Sequence, residues 1–351
     1  MEILAEYGLF LAKIVTFAVA ALIVVAMVMS AAQRGRNQED EGELQVVRVN
    51  DRLRDNRETL EASLHDGAGR KRWLRERKRS RKKERKAKSK EKEGDSGERR
   101  GRLYVVDFQG DIKASQTSAL RRSITAILGV AEPGRDEVMI RLESSGGMVH
   151  SYGYAAAQLD RIRRASLPLT ACVDKVAASG GYMMACVADR IIASPFAILG
   201  SIGVVAQLPN VHRLLKRNDV DFEVLTAGEY KRTLTVFGEN TEKGRRKFTE
   251  DLEQTHQLFK DYVSEHRPAV DIDSVATGEI WFGRQALDVN LADELKTSDQ
   301  VMTEACEERD VFLVRYERRR TLPEKLGLSA ATAVESGVMK GVEWLRAGRF
   351  Q

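Results

Sequence analysis

Ser179 lies in Lys175-Val-Ala-Ala-Ser-Gly-Gly-Tyr-Met-Met-Ala185, a run of small residues that turns abruptly apolar. Lys231 follows fifty-two positions later, in Thr226-Ala-Gly-Glu-Tyr-Lys-Arg232. A serine hydroxyl attacks a carbonyl only when a base removes its proton. A lysine in water has a pKa near ~10.4 and is protonated at neutral pH. An apolar pocket strips the ammonium of hydration, favours the neutral amine and turns lysine into a usable general base. The two residues read as a candidate Ser-Lys dyad, a variant of the serine-hydrolase arrangement. Most serines and lysines are surface residues, so the surrounding sequence has to supply the rest of the machinery.

Upstream, the strand-like run Glu137-Val-Met-Ile-Arg-Leu142 breaks into Glu143-Ser-Ser-Gly-Gly-Met148. Two glycines after a buried strand let the backbone turn sharply and aim amides into a cleft. Acyl transfer needs such donors where the tetrahedral oxyanion forms, and each contributes about 3 kcal/mol. Gly146 and Gly147 are candidates for one donor. Gly180 supplies another at the start of the next helix, where unsatisfied amides and the helix dipole favour negative charge. Each glycine pair taken singly is more simply a turn; together, each at a strand end, they point to an oxyanion pocket.

The stretches Ser144-Ser-Gly-Gly147, Ala177-Ala-Ser-Gly-Gly-Tyr182, Gly200-Ser-Ile-Gly-Val204 and Gly228-Glu-Tyr-Lys231 resemble, in order and spacing, the signature blocks of signal peptide peptidase A-like serine peptidases. The likeness runs from the amino-terminal apolar segment to about Asp299. It implies an α/β fold with the repeated β-β-α core of the ClpP/crotonase class, peptide-bond hydrolysis, Ser179 as nucleophile and Lys231 as general base. It also implies that Ser201 hydrogen-bonds and orients Lys231, that no cofactor is needed, and that copies assemble into a ring shielding the active sites. One departure stands out: the oxyanion block of the family usually reads Ser-Pro-Gly-Gly, and position 145 here is Ser. Altered loop stiffness is expected from it, with the amide-bearing glycines retained.

Composition limits the alternatives. Between Arg70 and Arg102 there are eighteen Lys or Arg against six Asp or Glu, whereas the whole chain carries only +5. The basic character therefore belongs to one segment, and the remainder is acidic. That segment holds a single aromatic, Trp73, and no stacking pattern, which argues against a nucleic-acid arm. A solvated spacer, or attraction to anionic lipid headgroups, fits better. The three cysteines, Cys172, Cys186 and Cys306, are odd in number and widely spaced, which disfavours a disulfide framework or a zinc site. Cys172 and Cys186 lie in apolar runs and read as core.

Leu9 to Met29 is almost wholly apolar. Twenty-one residues at ~1.5 Å each reach roughly 31 Å, enough to cross a bilayer core. The start is acidic (Glu2, Glu6), unlike a secretory signal, although Ala31-Ala-Gln33 leaves cleavage open. An uncleaved single-pass anchor in a bacterial inner membrane is expected. The Lys/Arg excess after the span favours a cytoplasmic catalytic body, while the best-known members of the resembled family sit on the exoplasmic face. The expected layout is an anchor over 1–33, a charged and partly disordered linker over 34–101, a peptidase domain over 102–300 and a carboxy-terminal extension over 301–351.

Strands are expected over Arg102–Phe108, up to Leu142, over Pro168–Val173, at Ile191–Ala193, over Ser201–Ala206 and over Phe222–Leu225. Helices are expected over Ser118–Leu128, Ser151–Arg164, Val211–Lys216 and Thr241–His266. Strands apolar throughout and alternating with helices argue for a mostly parallel sheet. Asp189, Arg190 and Pro195 interrupt Met183–Ala206 as a second membrane span.

Other chemistries fit less well. The histidines are His65, His150, His212, His256 and His266, so none follows Ser179 at the spacing of roughly 25 residues that a ClpP-type triad would need. No His-Glu-x-x-His is present to suggest a metalloprotease. A crotonase-like acyl-transfer enzyme would share the fold without requiring Ser179 and Lys231 together. An inactive membrane scaffold is the alternative from another class, and a serine-directed fluorophosphonate distinguishes it. Extended peptides with small or apolar side chains are the expected substrates.

Overall fold

Runs that are apolar at nearly every position become the inner strands of a parallel sheet, because helices cover both of its faces. In the computed structural model, which describes residues 42–91 and 99–318, these are β2 (Arg102–Gly110), β3 (Glu137–Ser144), β4 (Leu169–Val173) and β6 (Arg190–Ala193). They pair side by side, all parallel, in the order β2-β3-β4-β6. Residues 45–315 form one compact unit.

The sheet forks at β3. Val138 to Arg141 pair with β4, whereas the last residue, Ser144, pairs with Ala177 of the short strand β5 (Val176–Ala178). β5 in turn runs parallel to β7 (Ile198–Gly200), which pairs antiparallel with β8 (Ile280–Phe282). The carboxyl ends of β3, β5 and β7 thus lie side by side, the end of a parallel sheet at which α/β proteins place their sites.

Amphipathic helices close the faces. α3 (Thr117–Leu128) buries Leu120, Ile124 and Ile127, spaced at the helical period; α4 (Val149–Arg164) buries Tyr152, Ala155, Ala156, Leu159 and Ile162. α5 (Gly180–Ala185) is buried along its whole length. A long helix, α7 (Glu242–His266), begins where the Thr241 side chain accepts a hydrogen bond from the Gly244 amide, and it packs Phe259 and Val263 inward. It follows the short exposed helix α6 (His212–Arg217). Past α7 the buried Arg267 donates to both carboxylate oxygens of Asp293 (2.9 and 2.7 Å) and to the Asn290 carbonyl, tying the end of α7 to the Leu291-Ala-Asp-Glu294 block.

Two sequence expectations change. Ser201–Ala206 and Phe222–Leu225 are not strands: residues 201–211 and 219–241 are irregular, and Phe222, Val224 and Leu225 are exposed. Among the described residues no neighbouring strand offers these segments a ladder to join. Second, residues 301–315, expected to lie in a carboxy-terminal extension, belong to the compact unit. α10 (Ser298–Glu308) leads into β10 (Asp310–Arg318), which pairs parallel with β2 and buries Val311 and Val314. The linker, expected to be only partly disordered, holds β1 (Gly42–Arg48), α1 (Val49–Ser63) and α2 (Gly67–Glu91). α2 is the solvated basic helix, and α1 is stitched to the sheet. Asn50 Nδ2 donates to the carbonyls of Cys306 (3.1 Å) and Arg309 (2.9 Å), its Oδ1 accepts from the Val311 amide (2.8 Å), and Arg48 pairs with Asp310 (2.6 Å). The apolar stretch Leu9–Met29 lies outside the described residues; among those described, no helix is long and apolar enough to cross a membrane.

Asn50 offers a direct check of that stitching. Asn50→Ala leaves two carbonyls and one amide without their partner, so unfolding in urea is expected to show a loss of about 1–3 kcal/mol. An unchanged midpoint would detach α1 from the folded unit.

Candidate functional site

The three strand ends deliver three turns. After β3 the chain passes through Ser145 and enters a left-handed turn at Gly146, φ +90°. After β5 comes Ser179, with φ +51° and ψ −119°, and after β7 comes Ser201, φ +51°. A non-glycine residue in this region stores of the order of 1–3 kcal/mol and persists only where its surroundings impose it. Around Ser179 they do. Its amide donates to the Gly200 carbonyl (2.8 Å), and its own carbonyl accepts from the Met183 amide (2.9 Å). The side chain of Ser179 is thereby set at the head of buried α5, in the manner of a strand–turn–helix nucleophile elbow. Neither Ser179 Oγ nor Ser201 Oγ has a hydrogen-bond partner among the described residues; the Ser201 amide donates to the Glu279 carbonyl (2.6 Å).

Gly146 faces this elbow. A Cβ added to it would lie 2.7 Å from the Gly180 amide nitrogen and 2.8 Å from Ser179 Cβ. The absence of a side chain at position 146 keeps open the space in front of the Gly180 N–H, where an oxyanion would sit. Gly180, the first residue of α5, has no intrahelical acceptor. The Gly146 amide itself is occupied, donating to Ser144 Oγ at 3.1 Å, while that of Gly147 has no partner among the described residues. Of the three glycines expected to form an oxyanion hole, Gly147 and Gly180 thus present free amides. Gly146 contributes space.

Lys231 is not joined to this cluster in the single chain. Its side chain is exposed and has no hydrogen-bond partner among the described residues; its amide donates to the Gly228 carbonyl (3.2 Å). The desolvation expected for a basic amine is absent here, because the irregular stretch carrying it lies open to solvent together with its apolar side chains. His150, in the first turn of α4, is exposed. Burial pushes the thiols of Cys172 and Cys186 up to about 12, which keeps both protonated and fits the reading of core residues.

Two residues that the sequence did not single out border this cluster. Tyr152, fully buried on α4, shares a hydrogen bond with Ser144 Oγ (2.6 Å) and donates to the Asp111 carbonyl (2.8 Å); burial pushes its phenol up, against a smaller opposing contribution from Ser144. His256, on α7, donates from Nε2 to the Ile202 carbonyl (3.2 Å), one residue past Ser201. Tyr152 sits eight positions after Ser144 across the glycine turn, a signal indistinguishable from an ordinary core tyrosine at helical spacing.

Residues 2–159 match the family described as Peptidase family S49 N-terminal, and residues 161–312 match Peptidase family S49. The chain belongs to peptidase family S49. S49 relatives of near-equal length include the Probable protease SohB of Haemophilus influenzae, 51% identical over 94% of this chain and 93% of that one. Another is the Probable protease SohB of Buchnera aphidicola subsp. Acyrthosiphon pisum, 42% identical over 97% of this chain and 98% of that one. A solved structure of the 1510-N membrane-bound stomatin-specific protease, in complex with a substrate peptide, overlays with a TM-score of 0.40 at 13% identity, covering 65% of this chain and 96% of that one.

If Gly146 keeps the oxyanion space open, Gly146→Ala should lower peptidase kcat by about 100-fold or more. Its melting temperature should fall as well, because the strain of a positive φ, about 1–2 kcal/mol, adds to the overlap of the new Cβ with Gly180 N, Ser179 Cβ and the Ala178 carbonyl, so kcat is compared well below the melting transition. Near-normal turnover by Gly146→Ala would place the oxyanion elsewhere.

Proposed function

We propose that the chain is a membrane-anchored serine endopeptidase in which Ser179 is the nucleophile and Lys231 the general base. The observation that carries this reading is the Ser179 elbow, its backbone held at positive φ at the head of α5 beside the side-chain-free Gly146 and the open amide of Gly180. Ser179 Oγ attacks the peptide carbonyl while neutral Lys231 takes its proton. The amides of Gly180 and Gly147 receive the oxyanion. Collapse expels the amine, which takes the proton from Lys231, and water then hydrolyses the acyl-enzyme with Lys231 again as base. Ser201, at the adjacent strand end, orients the lysine amine.

Lys231 needs cover to act as a base, and the single chain leaves it exposed. Val205, Leu208, Leu214, Phe222, Val224 and Leu225 are exposed in the same stretch, with Leu225 at 90% and Val205 at 81%. So many large apolar side chains on one segment mark an association surface. A ring of copies packed through residues 203–238 buries them, dries the lysine and limits access to extended peptide segments. Leu9–Met29 serves as the anchor, and the basic helix α2 adds attraction to anionic headgroups. By the Lys/Arg excess after the span, the catalytic body faces the cytoplasm.

Turnover of a fluorogenic peptide library tests the dyad. Ser179→Ala is expected to leave no more than about a thousandth of the wild-type rate with the assembly intact. Lys231→Arg should be equally inactive, because a guanidinium stays protonated. Robust turnover by Lys231→Arg would transfer the base role to a histidine. Leu225→Asp should dissociate the assembly on a sizing column and abolish turnover together; an active monomer would refute the need for a second copy.

Membrane attachment is checked separately. Carbonate washing should leave the full chain in the pellet, and a chain begun near residue 40 should be soluble and folded. Because Arg48 and Asn50 hold the sheet, a chain begun near residue 100 should be less stable. Trypsin added outside intact spheroplasts should spare α2; cleavage there would place the body on the exoplasmic side.

A further inference from the structure

Beneath the oxyanion turn lies a chain of hydrogen bonds whose direction is fixed by its ends. The Gly146 amide can only donate, and does so to Ser144 Oγ (3.1 Å); the Asp111 carbonyl can only accept, and does so from Tyr152 Oη (2.8 Å). The two hydroxyls between them, 2.6 Å apart, must then pass the hydrogen bond from Ser144 to Tyr152. Every hydroxyl proton in the run from Gly146 to Asp111 is used, and the two side chains are 2% and 0% exposed. Buried hydroxyls in a fully satisfied chain admit one arrangement, since turning either would strand a donor or acceptor without water to replace it.

The same pair touches the other wall of the pocket. A Cβ on Gly180 would run into ring atoms Cγ and Cδ2 of Tyr152 and its Cβ, so the first turn of α5 rests directly on that side chain. On the far side, Gly110, in register with Ser144 on the neighbouring strand, has no room for a Cβ against Ser144 Oγ and Tyr152 Oη. Phe108 meets the Tyr152 ring edge-on at 6.5 Å. One tyrosine therefore bears on both walls. Its hydroxyl, through Ser144, fixes Gly146 with its amide turned away and its open side toward Ser179, and its ring supports the backbone of Gly180.

We propose that Ser144 and Tyr152 are positioning residues for the protease reaction, holding Gly146 and Gly180 at the separation that admits the oxyanion. This inference rests on the reading of Ser179 as nucleophile. Neither side chain touches substrate; they act through the backbone of the turn. The relay explains why the first glycine of the pair is a spacer and not a donor. It also shows how the turn keeps its shape with Ser145 where relatives of the resembled family carry proline: the constraint comes from the buried hydroxyl one residue earlier.

Three variants in the full-length chain test this: Tyr152→Phe, Ser144→Ala and the double substitution. Each is assayed for kcat and KM on a fluorogenic peptide, for melting temperature and for the rate at which a fluorophosphonate labels Ser179. A misplaced oxyanion site should lower kcat and the labelling rate together, by about 10- to 100-fold, with KM within about twofold. The double variant should lose no more than either single one, because both break the same relay. Unchanged kcat, or losses that multiply in the double variant, would overturn the positioning role while wild-type labelling at Ser179 leaves the nucleophile standing. Loss of the melting transition in both single variants would make the pair structural only and overturn the proposal. A wild-type chain labelled at some other serine would remove the reading of Ser179, and this inference with it.

Discussion

The register of a three-residue strand governs the site. β5 sits between the end of β3 and β7, with Ala177 opposite Ser144 and Ala178 opposite Gly200. Because the three strands are parallel, their carboxyl ends coincide, which sets the turn at Gly146, two residues past β3, beside Ser179 and Ser201, the residues that follow β5 and β7. A slip of one residue in β5 would turn its side chains to the opposite face and carry Ser179 away from Gly146. So short a strand cannot hold its register alone. Buried α5 holds it, with Tyr182 fully enclosed and its hydroxyl donating to the Leu291 carbonyl (3.2 Å).

The unit divides into a part that is packed and a part that is not. Behind Ser179 lie buried α5 and the hydrogen-bonded hydroxyls of Ser144 and Tyr152 under the glycine turn. The stretch bearing Lys231 is irregular, and its large apolar side chains face solvent. These two conditions suit different demands. An oxyanion site has to be set before substrate arrives, since donors that reorganise during the reaction lose most of their value. A lysine base needs a dry environment, and the single chain leaves Lys231 exposed. The proposed assembly answers the second demand, and its failure would leave the first untouched.

Much of the fold was legible in the sequence. Uninterrupted apolar strands and helical stripes marked β2 to β4, β6 and helices α3, α4 and α7, because both patterns report burial directly. Phe222–Leu225 misled because its apolar run looks like a buried strand, whereas Phe222, Val224 and Leu225 are exposed in an irregular stretch. Asn50 and β10 were hidden because polar stitching across more than 250 residues leaves no local pattern. At the site, Ser179, Gly146 and Gly180 stood out through small residues at strand ends. The division of labour within the Gly146–Gly147 pair did not, since only coordinates reveal which amide is already spoken for by Ser144. Tyr152 was invisible for a related reason: a tyrosine on an apolar helix face carries no mark of what its hydroxyl holds.

The most direct test of the account is a crystal structure of the assembled chain after phosphonylation at Ser179. The adduct's anionic oxygen should lie about 2.7–3.1 Å from the amide nitrogens of Gly180 and Gly147. The Gly146 amide should remain on Ser144 Oγ, and the Lys231 amine should be buried within reach of the phosphonate. An oxygen bound by the Gly146 amide, or a Lys231 still open to solvent in the assembled adduct, would contradict it.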